Sequence, residues 1–364
     1  MKIFMANPMQ SDFIHQESKI SQMNYSEFLK DTKSISEYLK YGFSGRSLFA
    51  KLKNPEYLHK LYREKDIGYM KYLDSFREKY RDYDVIVMNP GIDLVHPEYL
   101  NIHFKNTLKI INFIDDPHTT YSYGLPFSWV FDAATFISPS YSENLSMKEI
   151  LTLSGFKSTY WFPHCGSNLS EPRWTLNELS SQLYKREKKA IYVGGFYTGK
   201  MDRLIYLKKK LKRDFEIYGR FPYKGFSYPI YSLINKKPSF YLPRQLSNIE
   251  LENIYSSKAV GINMHLSNPS IETGNARLYE LAYRGVAQVV DTSKVSLVEE
   301  IFEPENEILT YETIDECVYQ TRRLLCDDEF RFKIALAAYE RSINQYSYFD
   351  NLSRLIEWFK SLLN

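Results

Sequence analysis

Cysteine is scarce: three residues in 364, Cys165, Cys317 and Cys326, at spacings that match no disulfide framework, metal knuckle or thiol-redox motif. That excludes a disulfide-stapled secreted scaffold and points to a reducing compartment. Histidines are few and scattered. His96, His103, His118, His164 and His265 show no metal-ligand spacing. No apolar run reaches the length of a bilayer span, so no integral membrane segment is expected. The first residues, MKIFMANPMQ, read as a buried strand rather than a leader. The expected location is cytoplasmic, extending at most to the inner face of a membrane. An excess of one charge is also missing. Lys and Arg number 47 against 44 acidic residues, the net charge is +3 and the pI is about 8.4. Such a balance does not call for a polyanionic partner. Internal repeats and low-complexity tracts are absent.

What is present is a globular composition, 44% apolar with a mean hydropathy of −0.42. The length suits two domains of ordinary size. The 31 tyrosines would stack on sugars or bases but pack cores equally well, so they select no partner. Two local basic runs, Lys185 to Lys189 and Lys208 to Arg213, read as a solvated interdomain segment and the outer face of a helix.

Strand-like and helix-like stretches alternate along the whole chain, which argues for α/β layers with parallel sheets. In the first half, strands are expected at Lys2 to Met5, Asp84 to Met88, Lys109 to Ile114, Ala134 to Ser138 and Tyr160 to Pro163. Helices fall near Ser26 to Tyr41 and Pro55 to Tyr80. The polar stretch Ser170 to Lys189 reads as a crossover. In the second half the strands are Ala190 to Val193, Phe215 to Tyr218, Ser239 to Leu242, Gly261 to Met264 and Val286 to Val290. Helices are expected at Asp202 to Leu211, Asn248 to Tyr255, Arg277 to Tyr283, Ile314 to Cys326, Asp328 to Asn344 and Phe349 to Leu363. On the last helix Leu352, Leu355, Ile356 and Phe359 have the spacing of a docking face.

The most informative segment runs from Gly261 to Asp291, a strand, a polar loop, a short helix stopped by Gly285 and a second strand. A loop of small residues entering a helix behind a strand offers free backbone N–H groups to an anion, here from Gly274 and Asn275. Arg277, in the first turn, adds a forked cation suited to a diphosphate. Glu280, three residues on, shares its helix face and is placed to accept from a ribose diol. Glu272 lies eight residues before Glu280, and His265 closes the preceding strand. The plainer alternative is an ordinary unit with an Arg277–Glu280 surface ion pair. A second motif, AIYVGGFYTGK, ends a strand in Gly194 and Gly195, where the backbone can approach a ligand closely. Lys200 and Arg203 follow where phosphate charge would be met. A third, LKIINFIDDPH, ends a strand in Asp115 and Asp116, with His118 beyond Pro117. The carboxyl ends of parallel strands face the ligand crevice, so a carboxylate there could deprotonate an acceptor hydroxyl. The alternative is a turn whose aspartates cap a helix.

In this order the three motifs resemble the CgeB-like, group 1 glycosyltransferases of GT-B fold. More distantly, the Asp-Asp-Pro turn, followed by Leu125 to Phe127, resembles that of phage DNA glucosyltransferases. The resemblance implies an α/β protein of two Rossmann-like domains with a cleft between them and a C-terminal helix crossing back to the first. Its expected boundaries are 1–169 for the acceptor side, 170–189 for the crossover, 190–344 for the nucleotide-sugar side and 345–364 for the returning helix. It implies a hexosyltransferase-like enzyme that moves a sugar from a nucleotide-diphosphate donor, with UDP-sugar favoured, to a hydroxyl. No metal and no further cofactor are required. The donor site would comprise Gly194, Gly195, Lys200, Arg203, His265, Gly274, Asn275, Arg277 and Glu280, with the backbone near Tyr241 and Leu242 beside the base. Glu280 would hold the ribose and Glu272 face the transferred sugar. Asp115, Asp116 and His118 would serve the acceptor, Asp115 foremost. Glu272 favours retention and Asp115 inversion, and both remain open. The acceptor is a glycan, a lipid-linked sugar, a protein or DNA. The alternatives are a phage-type DNA base glycosyltransferase, a GT-B epimerase that needs no acceptor and, from another class, a non-catalytic nucleotide-sugar-binding protein.

Overall fold

The computed structural model describes residues 1–5, 13–15, 18–21, 55–88, 95–113, 125–142, 145–166, 174–195, 200–219, 246–265, 275–292 and 298–364. It divides into two units, residues 1–163 with 352–364, and residues 164–351.

In the first unit the chain forms β1 (Lys2–Met5), β2 (Phe13–His15), β3 (Ser18–Ser21), helices α1 (Pro55–Arg63) and α2 (Ile67–Tyr80), and β4 (Val85–Met88). It continues with α3 (Pro97–His103), β5 (Leu108–Phe113), β6 (Ala133–Phe136), β7 (Ser140–Ser142), β8 (Leu145–Ser146), α4 (Met147–Leu153) and β9 (Thr159–Trp161). Seven strands form one sheet in the order β2-β3-β1-β4-β5-β6-β9, parallel throughout except for the β2–β3 pair. β7 and β8 make a separate antiparallel pair. The central strands β4 and β6 are buried at every position because parallel sheets are covered on both faces. Phe76 and Tyr80 of α2 bring their rings to 5.1 and 4.4 Å from Phe4 of β1, and this aromatic cluster anchors the helix to the sheet.

The single helical stretch expected over Pro55 to Tyr80 is two helices. Lys65 adopts φ 49°, and the Asp66 carboxylate accepts from the Tyr69 amide at 2.9 Å, which starts α2 afresh. The helix expected near Ser26 to Tyr41 lies outside the described residues.

In the second unit α5 (Leu176–Leu183), β10 (Glu187–Val193), α6 (Met201–Leu211), β11 (Phe215–Tyr218), α7 (Asn248–Ser257) and β12 (Lys258–Asn263) come first. α8 (Ala276–Ala282), β13 (Ala287–Asp291), β14 (Leu309–Tyr311), α9 (Ile314–Cys326) and α10 (Asp328–Gln345) follow, and α11 (Tyr348–Leu363) belongs from Leu352 onward to the first unit. All five strands are parallel, in the order β11-β10-β12-β13-β14. The chain runs outward from β10 to β11, returns to β12, and then runs outward the other way to β14. The strand order therefore reverses between β10 and β12, and a ligand crevice forms outside the carboxyl ends at such a point.

Gly285 ends α8 at φ 60°, with the Val286 amide donating to Leu281 and the Gly285 amide to Ala282. The basic run that leads into β10 is only partly solvated, with Lys185 and Lys188 exposed. Arg186 is buried and donates to the carbonyls of Gly285 and Arg284 at 2.7 and 2.6 Å, where the end of α8 presents free acceptors. Lys189 pairs with Glu216 at 2.6 Å. On α11, Leu352, Leu355, Ile356 and Phe359 are all buried. Trp358 stacks on Tyr160 of β9 at 5.2 Å and donates to Ser158.

Glu216 of β11 carries a pH dependence. Burial alone would raise its carboxyl pKa, but hydrogen bonds from Lys189, Tyr218 and Lys258 outweigh it and hold the group down to about 2. The folded value lies below the ordinary 4.5, so the stabilisation is fully present above that pH and fades as pH falls toward 2. Glu216→Gln should flatten the acid limb of stability between those values. At neutral pH it should cost about 1–3 kcal/mol, because the buried Lys258 loses one of its two carboxylates and keeps only the half-exposed Glu187 at 2.9 Å. Denaturant unfolding across the pH range measures both.

Candidate functional site

At the carboxyl ends of β10 and β12 lies a cavity of about 370 Å³, lined by residues of the second unit. β10 delivers Val193, Gly194 and Gly195. Lys200 stands at the start of α6, Leu251 and Tyr255 come from α7, and Asn275, Ala276, Arg277 and Glu280 from the head of α8.

Arg277 is the central cation. Its guanidinium lies over the ring of Tyr192 at 4.8 Å and donates to Asn263 Oδ1 at 3.0 Å. Asn275 Nδ2 donates to the same oxygen at 2.9 Å. Arg277 makes no ion pair with any described carboxylate, so the surface pair with Glu280 weighed as the plainer alternative is not formed. Gly194 is required here by close approach. A Cβ on it would stand 2.1 Å from the Arg277 guanidinium, and its φ of 155° disfavours any side chain. The Tyr192 hydroxyl donates to Gly195 O at 3.0 Å, which fixes the glycine turn over the aromatic ring.

Lys200 is buried and donates to Met264 O at 2.8 Å, so its ammonium is tied to the end of β12. Arg203 points elsewhere. It meets Asp291, at the end of β13, at 2.6 Å, and approaches the Tyr311 hydroxyl at 3.4 Å; it does not line the cavity. His265 is buried. Desolvation, reinforced by Lys200, Arg277 and Arg203 and opposed by Asp291, pushes its imidazole down to about 4. It is therefore neutral at physiological pH, which leaves Lys200 and Arg277 as the cations of the cavity. Glu280 lines the same cavity and accepts from the Tyr255 hydroxyl at 3.3 Å.

Of the residues singled out in the sequence, Gly194, Gly195, Lys200, Asn275, Arg277 and Glu280 converge on this one cavity. Asp115, Asp116, His118, Tyr241, Leu242, Glu272 and Gly274 lie outside the described residues. The sequence reading missed Tyr192, Asn263 and Tyr255, which hold the charged side chains in place. Tyr192 and Tyr255 carried a signal in being aromatic residues just upstream of the glycine turn and of β12. Asn263 carried one as a polar residue ending an otherwise apolar strand.

Chemically, the site presents two cations, a glycine turn and one carboxylate at a point of strand reversal, an arrangement that receives an anion with a hydroxylated neighbour.

A model of a glycosyl transferase-like family matches residues 203–357. No curated protein sequence matches the chain. Among solved structures the chain is similar to sucrose-phosphate synthase from Thermosynechococcus elongatus. The identity is 13% over 99% of this chain and 88% of that one, with a TM-score of 0.59. It is similar also to an alpha-glucosyltransferase in complex with UDP-glucose and DNA containing an abasic site, with 12% identity over 80% and 84% of the two chains and a TM-score of 0.54. The fold is GT-B. TarM shares it too, with 12% identity and a TM-score of 0.53. The match covers 76% of this chain but only 54% of TarM, so the present chain spans about half of that protein.

Inorganic pyrophosphate tests the cavity's charge without assuming a substrate. It should raise the melting temperature of the wild type in a thermal-shift titration and leave Arg277→Gln nearly unmoved. Equal shifts in both would place the anion away from Arg277.

Proposed function

We propose that the protein is a glycosyltransferase moving a sugar from a nucleotide-diphosphate donor to a hydroxyl acceptor. The observation that carries this reading is Arg277, a guanidinium with no described carboxylate partner, facing a cavity at the strand-reversal point with Lys200 beside it. The fold and the glycosyl transferase-like family match support it. In this reading Arg277, Lys200 and the Gly194–Gly195 turn hold the diphosphate, and Glu280 accepts from the ribose diol. UDP is the favoured nucleotide, since UDP-glucose or UDP accompanies several structures of this fold.

The reaction itself develops negative charge on the departing diphosphate. Fixed cations beside it lower the barrier because that charge is greater in the transition state than in the bound donor. These two cations do the work for which other transferases use a divalent metal, so the reaction is proposed to need none. Asp115, with Asp116 and His118 nearby in sequence, is assigned to the acceptor hydroxyl, and Glu272 to the transferred sugar. The narrower likeness to CgeB-type enzymes rests on the order of the three motifs. The acceptor is a glycan, a lipid-linked sugar, a protein or DNA.

The test pairs binding with turnover. UDP at about a hundred times its dissociation constant should stabilise the folded protein by roughly 2.7 kcal/mol, read as a rise in melting temperature. Glu280→Ala should lose most of that rise, and GDP and ADP serve as comparators. With labelled UDP-sugars and a panel of glycan, lipid-linked, peptide and DNA acceptors, Asp115→Asn should keep the UDP response while transfer falls at least a hundredfold. If no nucleoside diphosphate stabilises the wild type, the glycosyltransferase reading fails. Stabilisation without transfer or donor hydrolysis would make it a nucleotide-sugar-binding protein.

A further inference from the structure

A glutamate that recognises a vicinal diol must present its carboxylate in one orientation, yet a free glutamate side chain turns about three bonds. The ordering entropy then falls on the binding step. Around Glu280 the structure carries a device that removes this freedom. The Tyr255 hydroxyl donates to Glu280 Oε2 at 3.3 Å, and Tyr255 is 1% exposed, so the donor cannot swing away. The Arg284 guanidinium covers the Tyr255 ring at 5.4 Å. Arg284 is itself fixed on three sides: Nε to Glu252 Oε2 at 2.6 Å, and one terminal nitrogen to the carbonyls of Gly166 and Glu280 at 3.0 and 3.1 Å. Glu252 and Tyr255 belong to α7, and Glu280 to α8. The Arg284 cluster therefore locks the two helices together at the level of the cavity, with the Tyr255 hydroxyl and the Glu280 carboxylate both on its wall. Glu280 has no cation partner among the described residues, which leaves its acceptor capacity for a ligand.

We propose that Tyr255 is a positioning residue: it holds the Glu280 carboxylate in the orientation that reads a ribose diol, and so sets the preference of this site for ribonucleotides over deoxyribonucleotides. The proposal rests on the donor-site reading above. A tyrosine serving only the core would support the fold and leave this preference untouched.

The experiment measures dissociation constants of UDP and 2′-deoxy-UDP by calorimetry for the wild type, Tyr255→Phe, Glu280→Gln and the double variant. Phenylalanine keeps the ring beneath Arg284 and removes only the hydroxyl. The wild type should favour the ribonucleotide. Tyr255→Phe should shrink that preference by about tenfold, the scale of one hydrogen bond to a charged group, while 2′-deoxy-UDP binds as before. In the Glu280→Gln background the same change should leave the ratio unaltered, because the two residues act through one contact. An unchanged ratio in Tyr255→Phe, or equal losses for both ligands, overturns the proposal and makes Tyr255 a packing residue. Should Tyr255→Phe fail to fold, Glu252→Gln, which removes the ion pair seating Arg284 on the ring, takes its place with the same two outcomes. A wild type that binds neither ligand is a failure of the donor-site reading instead.

Discussion

A guanidinium kept half-buried at the end of a parallel sheet needs partners, and the choice of partners decides whether it remains available to a ligand. At Arg277 the partners are neutral. The Tyr192 ring supports one face and Asn263 Oδ1 takes one N–H, while no described carboxylate cancels the charge. A ring face and a carboxamide oxygen are weaker partners than an ion pair, and they leave the positive field directed into the cavity. The surrounding backbone follows from this placement. A Cβ at position 194 would push the guanidinium off its seat and would be strained at φ 155°, and the turn beyond it is fastened to the Tyr192 hydroxyl. Asn263 is turned with its oxygen toward both Arg277 and Asn275, each of which donates to it.

Arg203, on α6, shows the opposite solution. Paired with the 3%-exposed carboxylate of Asp291 and resting near the Tyr311 ring, it is a neutralised element of the sheet end. Both arginines sit close to the carboxyl edge of the same sheet, and only the identity of the partner separates a structural cation from a ligand-facing one. The ion-pair network at the other end of the sheet, Glu216 with Lys189 and Lys258, is likewise closed on itself. Among the described residues, these two charge clusters are closed on themselves, whereas Arg277 faces the cavity.

Much of this was legible in the sequence because it rests on local rules. The apolar runs of β10, β12 and β13, with the Gly194–Gly195 pair that follows β10, located the strand ends, and the topology then brought Gly194, Lys200, Asn275, Arg277 and Glu280 to one place. The role of Arg203 was not legible, since its partner Asp291 is 88 residues away and only the strand order makes them neighbours. Tyr255 and Asn263 were missed for the same reason. Their importance lies in what they touch at α8, which the weak local signals of an aromatic before β12 and a polar residue at its end do not reveal. Other features were readable and went unread. Ser146 with Glu149 and Thr175 with Glu178 are capping boxes, and they mark the starts of α4 and α5 inside stretches otherwise read as loop or crossover. The short β14 offers only three residues of pattern, too few to separate from a loop by periodicity.

The charge balance of the cavity bears on how such a site would work. Lys200 and Arg277 contribute two positive charges, His265 is held neutral, and Glu280 contributes one negative charge on the α7 side. In the proposed reaction the diphosphate of a nucleotide sugar is a diester with one negative charge on each phosphate, which the two cations match in the ground state. Breaking the sugar–oxygen bond adds a further negative charge to the outer phosphate. Since the cations are fixed by Tyr192, Asn263 and the Met264 carbonyl, they need not reorganise to meet it. Preorganised charge favours the transition state over the bound donor, and that difference accelerates a reaction where tight binding alone does not. The rigidity around Arg277 is thus better explained by the charge that would develop during transfer than by the charge already present on the donor.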